Sequence, residues 1–356
     1  MVDGSPTSSS ERTLELAGEP VSHLRRPLSD VGPGRVRIAS LSAGRFTETE
    51  GDAALADLGE IIGRPDAAVW VDLSSPSATH VETVGSAIGL HPLIVEDVLE
   101  GNKRAKIETT DGLVHIVLFV LPGETRLALS EVDIVLSRGF LLTVHNESWD
   151  PRLTHHLRGD GLPALLKRGV DHLLWALADS IVDGYFPYAD RLGDQIDEVQ
   201  DAVIRKATPD TLERLFALKR ELIEVRRAAG PTREVFNQLT NRDLTMIDEE
   251  ELIWFRDVYD HVIRLTDEMD NYRELASSTL DVYLTQVNNN LSVIMKRLTG
   301  VTVILAGIGA VAGIFGMSEA GAAFSGAEAG GFWTVTAFVV AMSVIAALFL
   351  RRIDWI

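Results

Sequence analysis

The sequence predicts an α+β membrane protein: an N-terminal α/β cytoplasmic domain, a long helical stalk continuous with a first transmembrane helix, and a C-terminal two-helix transmembrane hairpin. Three observations predict it. Two uncharged apolar runs, residues 298–315 and 332–350, lie near the end of the chain. At about 18–19 residues, each is long enough to cross a bilayer core as a helix. Ahead of them, residues 248–315 contain no proline and no glycine before Gly300. Between about residues 34 and 158, β-rich and helical patterns alternate.

Residues 1–33 are rich in Ser, Pro, Gly and charge and read as a disordered tail. The α/β domain follows over 34–158. Val69-Trp70-Val71-Asp72-Leu73 and residues 113–121 are β-rich, and 131–137 and 140–145 flank Arg138-Gly139, a hairpin turn. Residues 77–88 and 92–99 have helical spacing, with Gly89 as a C-cap. The sheet is expected to be largely buried. Residues 159–297 form the helical stalk. Within it 165–206 and 211–229 are amphipathic, Pro209 sits at a helix start, and Gly230-Pro231 marks a break. Read as one helix, 248–315 is on the order of 100 Å long at ~1.5 Å per residue. Such a rod needs partners, either its own preceding helices or copies from other subunits.

Charge sets the orientation. Lys296 and Arg297 precede transmembrane helix 1 (298–315), and Arg351 and Arg352 open the basic tail (351–356) after transmembrane helix 2 (332–350). The loop 316–331 carries no Lys or Arg, only Glu319 and Glu328. The positive-inside rule puts both termini in the cytoplasm and the loop outside, in a two-span protein of the plasma membrane. Trp333 and Trp355 stand near span ends, where indole favours the interface, and Lys296, Arg351 and Arg352 form a collar suited to lipid headgroups. The N-terminal MVDGSPTSSSERT has no apolar core of a secretory signal. A formal charge of −19 argues against nucleic acid as a partner and favours cations. With no cysteine, disulfides and thiolate metal sites are excluded. No phosphate-loop pattern and no nucleophile–base constellation is visible, so the chain is not expected to be an enzyme.

Between Asp248 and Asp281 the rod carries eleven acidic residues against Arg256, Arg264 and Arg273. Most of these carboxylates read as a solvated face; the rest are candidate ligands for hard divalent cations. One line of the rod is distinctive. Steps of three and four connect Asp281, Thr285, Asn288, Ser292, Met295, Thr299, Thr302, Ala306, Gly309 and Gly313, nearly all polar or small. Two explanations compete. Gly309-x-x-x-Gly313 fits close helix packing. A wet pore on a symmetry axis instead accounts for Asp281, Asn288, Ser292 and the threonines continuing the same line. His155-His156 reads as surface, since no second ligand cluster is near in sequence.

The segment RDVYDHVIRLTDEMDNYRELASSTLDVYLTQVNNNLSVIMKRLT, with GIFGMS after it, closely resembles the stalk and first span of CorA-type magnesium transporters. LHPLIVEDVLEGNKRAKIE resembles that family's HPL-x-x-ED segment, EVDIVLSRGFLLTVHNE its hairpin, and RRIDWI its basic, aromatic tail. The resemblance covers about residues 34–356. It implies a homopentamer whose long helices face a central channel, with magnesium or a related divalent cation as both substrate and regulatory ligand and no tightly bound cofactor. The family's Gly-Met-Asn pore mouth corresponds to Gly316, Met317 and Ser318, so a shorter hydroxyl replaces the amide. Met295 and Leu298 keep an apolar neck. The resemblance further implies an intersubunit regulatory metal site from Asp97, with Glu96 beside it, and Asp257 of the next subunit's stalk. The Ser318 departure keeps two alternatives: a zinc transporter of the same fold, similar to ZntB, and a non-conducting membrane-anchored sensor of divalent ions.

Overall fold

The computed structural model describes residues 34–64, 66–110, 112–121, 123, 127–241, 244–316 and 328–352. The chain divides into two compact units, one formed by residues up to Asp194 with Arg220–Arg273, the other by Gln195–Lys219 with Glu274–Ile356.

In the first unit the strands are β1 (Arg35–Ser42), β2 (Arg45–Glu50), β3 (Ala68–Ser74), β4 (Lys106–Thr110), β5 (Leu113–Val120), β6 (Ser130–Ser137) and β7 (Phe140–His145). They form one sheet in the order β2-β1-β3-β7-β6-β5-β4. β3 and β7 run parallel; every other neighbouring pair is antiparallel. β3, β5 and β7 read as near-continuous apolar runs because both faces are covered, and β6, half polar in sequence, is buried along nearly its whole length. The edge strand β2 is largely exposed, which limits the expectation of a buried sheet to its centre. Helices α1 (Ala53–Ala56), α2 (Leu58–Ile62), α3 (Ala78–Ile88) and α4 (Pro92–Glu100) bring Leu58, Val81, Val84, Ile94 and Val98 onto Val69, Val71, Leu73, Leu142 and Val144. α5 (Gly161–Arg168) and α6 (Val170–Asp183) also pack on the sheet.

Local chemistry explains the joints. Gly139 turns the β6–β7 hairpin at φ 75°, where a Cβ would stand 2.8 Å from the Ala67 carbonyl oxygen. Gly89 ends α3 at φ 70°. Ser77 and His80 cap each other's backbone N–H at the start of α3. Pro92 occupies the first turn of α4, where its missing N–H costs nothing.

A polar cluster lies buried among β1, β3 and β7. Trp70 Nε1 donates to Thr143 Oγ1 (3.1 Å), whose hydroxyl donates to Asp72 Oδ1 (2.6 Å), and His145 Nε2 lies 3.0 Å from that oxygen. Arg37 reaches Asp150 at 2.8 Å and Asp72 at 3.7 Å. Burial pulls the His145 imidazole down, but its bond to Asp72 and the nearby charges offset this and leave it raised.

The helical region departs from the sequence reading at two places. Residues 165–206 are not one amphipathic stretch: Gly169 and Gly184 separate α5, α6 and α7 (Phe186–Arg205). Gly230-Pro231 is not a break either, since α8 (Pro209–Asn241) runs through it. Pro231 removes one helix donor, and next to it the Thr232 hydroxyl donates to the Ala228 carbonyl at 2.9 Å. Buried Ala228, Ala229, Val235 and Phe236 hold both sides of the proline in register. α9 (Leu252–Gly316) is a single helix of 65 residues. In the first unit it buries Phe255, Val258, Val262, Leu265 and Met269, and Arg226 holds Asp270 through two hydrogen bonds of 2.6 and 3.1 Å.

The second unit contains the end of α7, the start of α8, the rest of α9, and α10 (Glu328–Arg352). Ile196, Val199, Val203, Leu215 and Leu218 are buried, as are Ala276, Thr279 and Tyr283 on α9. From residue 284 to Thr299 no side chain of α9 is buried. Among the described residues one helix, Glu249–Ile314, has the length and composition to cross a membrane, and only 6 % of its apolar window is buried.

Candidate ion pathway and cytoplasmic carboxylates

The polar line predicted on the rod lies on α9 and is exposed throughout the single chain, from Asp281, Thr285, Asn288 and Ser292 through Met295, Thr299 and Thr302 to Ala306, Gly309 and Gly313. Three of its hydroxyls donate back into the helix: Thr285 to the Asp281 carbonyl (2.8 Å), Ser292 to Asn288 (3.0 Å) and Thr302 to Leu298 (2.8 Å). With the proton engaged, each oxygen keeps acceptor capacity free. Such a surface suits a partner that donates hydrogen bonds, as the waters around a hydrated cation do.

α10 occupies the other side. Ile304, Gly307, Ile308 and Val311 of α9 and Val339, Met342, Ser343 and Ala346 of α10 line a common apolar cleft of about 300 Å³. At about 100° per residue, Ile304, Gly307, Ile308 and Val311 centre roughly 180° from Thr302, Ala306, Gly309 and Gly313. The chain therefore covers the back of the line and leaves its front bare. Gly316 is the last residue of α9; Met317 and Ser318 lie outside the described residues, as do the loop residues 317–327 and the tail residues 353–356.

The three regulatory candidates are all in the first unit. Glu96 is exposed on α4, and Asp97 on the same helix pairs through Oδ2 with Lys106 Nζ on β4. Lys106 also reaches Glu108 at 3.3 Å; burial opposes its charge, and the bonds to Asp97 and Glu108 raise it above the ordinary lysine value. Asp257 is 64 % exposed on α9, with His261 Nε2 3.9 Å away. Within one chain Asp97 and Asp257 fall into different candidate ligand sets: Asp97 with Glu108 and His115, and Asp257 with Asp179 and His261. Lys106 was legible only as part of a basic stretch. Asp179 and His261 carried no signal, because each is a single polar residue on a long helix whose neighbours come from distant sequence.

Next to Asp97 lies a second carboxylate pair, Asp133 buried and Glu131 half-buried. Glu131 accepts from the Asn102 backbone N–H (2.7 Å) and side chain (2.8 Å), and Asp133 Oδ1 lies 2.8 Å from His115 Nε2. Burial, then the neighbouring Asp133, pushes the Glu131 carboxyl up to about 8. Burial also raises Asp133, against the pull of His115.

His155 and His156 are corrected in one respect. His155 is exposed as expected, but His156 is half-buried, and the fold brings Asp179 to the pair.

Comparison with known proteins identifies the family and the fold. The sequence model of a family described as "CorA-like Mg2+ transporter protein" matches residues 65–352. The chain is 32 % identical over 256 residues to the cobalt/magnesium transport protein CorA of Thermotoga maritima, covering 70 % of this chain and 72 % of that one. It is 25 % identical over 291 residues to the cobalt/magnesium transport protein CorA of Methanocaldococcus jannaschii, covering 81 % and 91 %. The complete structure of the CorA magnesium transporter from Methanocaldococcus jannaschii superposes with a TM-score of 0.70 at 22 % identity, over 90 % of this chain and 98 % of that one.

Proposed function

The chain belongs to the CorA-like Mg2+ transporter family, whose members are transporters and not enzymes, and from that premise we propose that it is a channel-like conduit for hydrated magnesium, or a related divalent cation such as cobalt or nickel, across the plasma membrane. One observation carries this reading: α10 packs on the face of α9 opposite the polar line, so the line is left for an axis shared with other copies. The bare length of α9 after Tyr283 supports the same assembly. It exposes Leu284, Leu291, Val293, Ile294, Met295 and Leu298, which no isolated helix in water would tolerate.

In a homopentamer, a heterologous contact repeated around a five-fold axis closes into a ring. Five copies of Asn288, Ser292, Thr299 and Thr302 then present acceptor oxygens to the outer protons of a hydrated ion. Magnesium sheds its water reluctantly, so reading the hydration shell is the economical form of recognition. Gly316, Met317 and Ser318 form the outer mouth, both spans run with the termini in the cytoplasm, and Met295 with Leu298 form a neck that gates by dewetting. An inside-negative potential drives entry by about 4.6 kcal/mol per divalent ion per 100 mV, twice the ~2.3 kcal/mol per unit charge.

Gating follows from the carboxylates. A divalent ion held between Asp97, with Glu96 beside it, and Asp257 of the neighbouring subunit offsets their repulsion and favours a closed, symmetric ring. Loss of the ion frees the stalks. Ser318 in place of an amide supports zinc as the second reading for the transported ion, and it also keeps the non-conducting sensor in view.

The test is flux into proteoliposomes holding the full chain, with magnesium, cobalt, nickel and zinc in competition. Magnesium uptake driven by the membrane potential is the expected result. Zinc uptake that rises with a proton gradient identifies the second reading. Absence of flux for every ion, with the oligomer intact, leaves only the sensor.

A further inference from the structure

The geometry points to a first-row transition-metal site, of the zinc, cobalt or nickel class, built from His155, His156 and Asp179 in the cytoplasmic α/β unit. His156 Nε2 lies 2.8 Å from Asp179 Oδ2, and His155 Nε2 lies 3.9 Å from the same oxygen. One ligand atom from each of the three falls within 4.8 Å of the others. The two imidazole rings are consecutive in sequence, with centroids 3.8 Å apart. A tetrahedral zinc with ~2.0–2.1 Å bonds needs its ligand atoms a little over 3 Å from one another, so modest rotation of His155 closes the set.

The chemistry of the donors selects the metal. Two imidazole nitrogens with one carboxylate favour zinc, cobalt and nickel over magnesium, which prefers an all-oxygen shell. The surroundings make the site more than a surface pair. Asp179 is nearly buried and fixed on α6, so its carboxylate is held ready. His156 packs on the Trp175 ring, with centroids 4.8 Å apart, which limits its motion. Asp183, one turn further along α6, is raised by burial and by Asp179 and pulled back by His261, His155 and His156, so a second carboxylate faces the same group. His155 is 57 % exposed and gives the metal a route in from solvent.

This assignment does not depend on transport. Cobalt added to the full-length protein in detergent should give visible absorption of the low-symmetry, nitrogen-bound kind, and nickel should quench Trp175 fluorescence, read as the difference between the protein and its Trp175→Phe variant. Zinc should displace both signals, and magnesium in large excess should displace neither. His155→Asn and His156→Gln should each weaken cobalt binding at least tenfold. Asp97→Asn, which removes a carboxylate invoked for gating and belongs to a separate candidate ligand set, should leave the histidine-dependent absorption in place while altering the magnesium response of flux. Unchanged cobalt absorption and affinity in the two histidine variants, with near-native circular dichroism, would overturn the assignment, as would displacement by magnesium.

Discussion

The α/β unit and the membrane end of α9 treat polar groups in opposite ways. Around Asp72 every partner is supplied in cis: Thr143, His145 and Arg37 converge from β7 and β1 on one buried carboxylate. Along residues 284–299 of α9 the chain supplies almost nothing, and apolar and polar side chains alike stand exposed; beyond them α10 covers only the back of the helix. The first region is finished by its own fold. The second, on the proposed assembly, is finished by lipid on one face and by further copies on the other. A substitution in the first should therefore be read in stability, and one in the second in flux or assembly.

The sharpest break of that contrast is a bulky side chain on the bare line. Gly309→Phe has open space in the single chain, since nothing lies within 4 Å of a Cβ there. It should leave each subunit folded yet cut magnesium flux by at least about 100-fold, because five rings meeting on an axis occlude and dewet it. Flux assay beside oligomer mass in detergent checks this; a monomer or dimer in the wild type would remove the axis altogether. The same substitution at Gly307, where a Cβ is equally free but the ring would enter the cleft shared with α10, should disturb the packing of α10 rather than conduction.

Asp72→Ala is the converse experiment. It strips a common partner from Arg37, His145 and Thr143 inside the sheet, and removal of one member of a buried charged set costs about 3–5 kcal/mol. A large fall in the melting temperature is expected with the unfolding of the α/β unit, while flux per folded oligomer is preserved.

Smaller effects test where the two regions are coupled. Lys106 already occupies Asp97, so under the proposed gating a regulatory divalent ion would have to displace an ammonium from its own chain. Lys106→Gln should lower the magnesium concentration for half-closure several-fold, whereas Asp257→Asn should raise it. Magnesium-dependent protection from proteolysis reads both.

Legibility in the sequence followed the same divide. The hairpin at Arg138-Gly139, the cap at Gly89, and the uninterrupted rod were readable because each depends on neighbours in sequence. β1, β2 and β4 were not singled out. β2 is an exposed edge strand with no apolar alternation, and β4 is short and half-exposed. Pro231 misled because a proline's local cost is real, yet the packing of Ala228, Val235 and Phe236 outweighs it. The polar line on α9 was readable as a period. Its position opposite α10 was not, because a period gives a face and not what lies against it. Lys106 with Asp97, and Asp179 with His155 and His156, are tertiary meetings without a local pattern.

The smallest expected effect concerns Glu131, whose charge the α/β unit opposes by burial and by the neighbouring Asp133. Burial and Asp133 push its carboxyl from 4.5 up to about 8. In the closed structure it keeps a proton that an opened strand releases, so between about pH 4.5 and 8 the folded state binds more protons than the open one. Stability of the β5–β6 pairing should then be greatest below about pH 4.5 and decline as pH rises toward 8. Glu131→Gln mimics the protonated carboxyl: its amide oxygen still accepts from Asn102, and its NH2 donates toward Asp133. The variant should gain on the order of 1 kcal/mol near pH 8, less than the full shift implies because the side chain is only half-buried, and should converge with wild type at pH 4.5. Asp133 is raised in the same direction, so part of the slope should survive in the variant. Amide exchange along β5 and β6, corrected for the intrinsic pH dependence of exchange, measures the difference. A wild-type slope that rises with pH would mean that Asn102 holds Glu131 ionised, and that the cytoplasmic unit carries one more fixed negative charge beside Asp97.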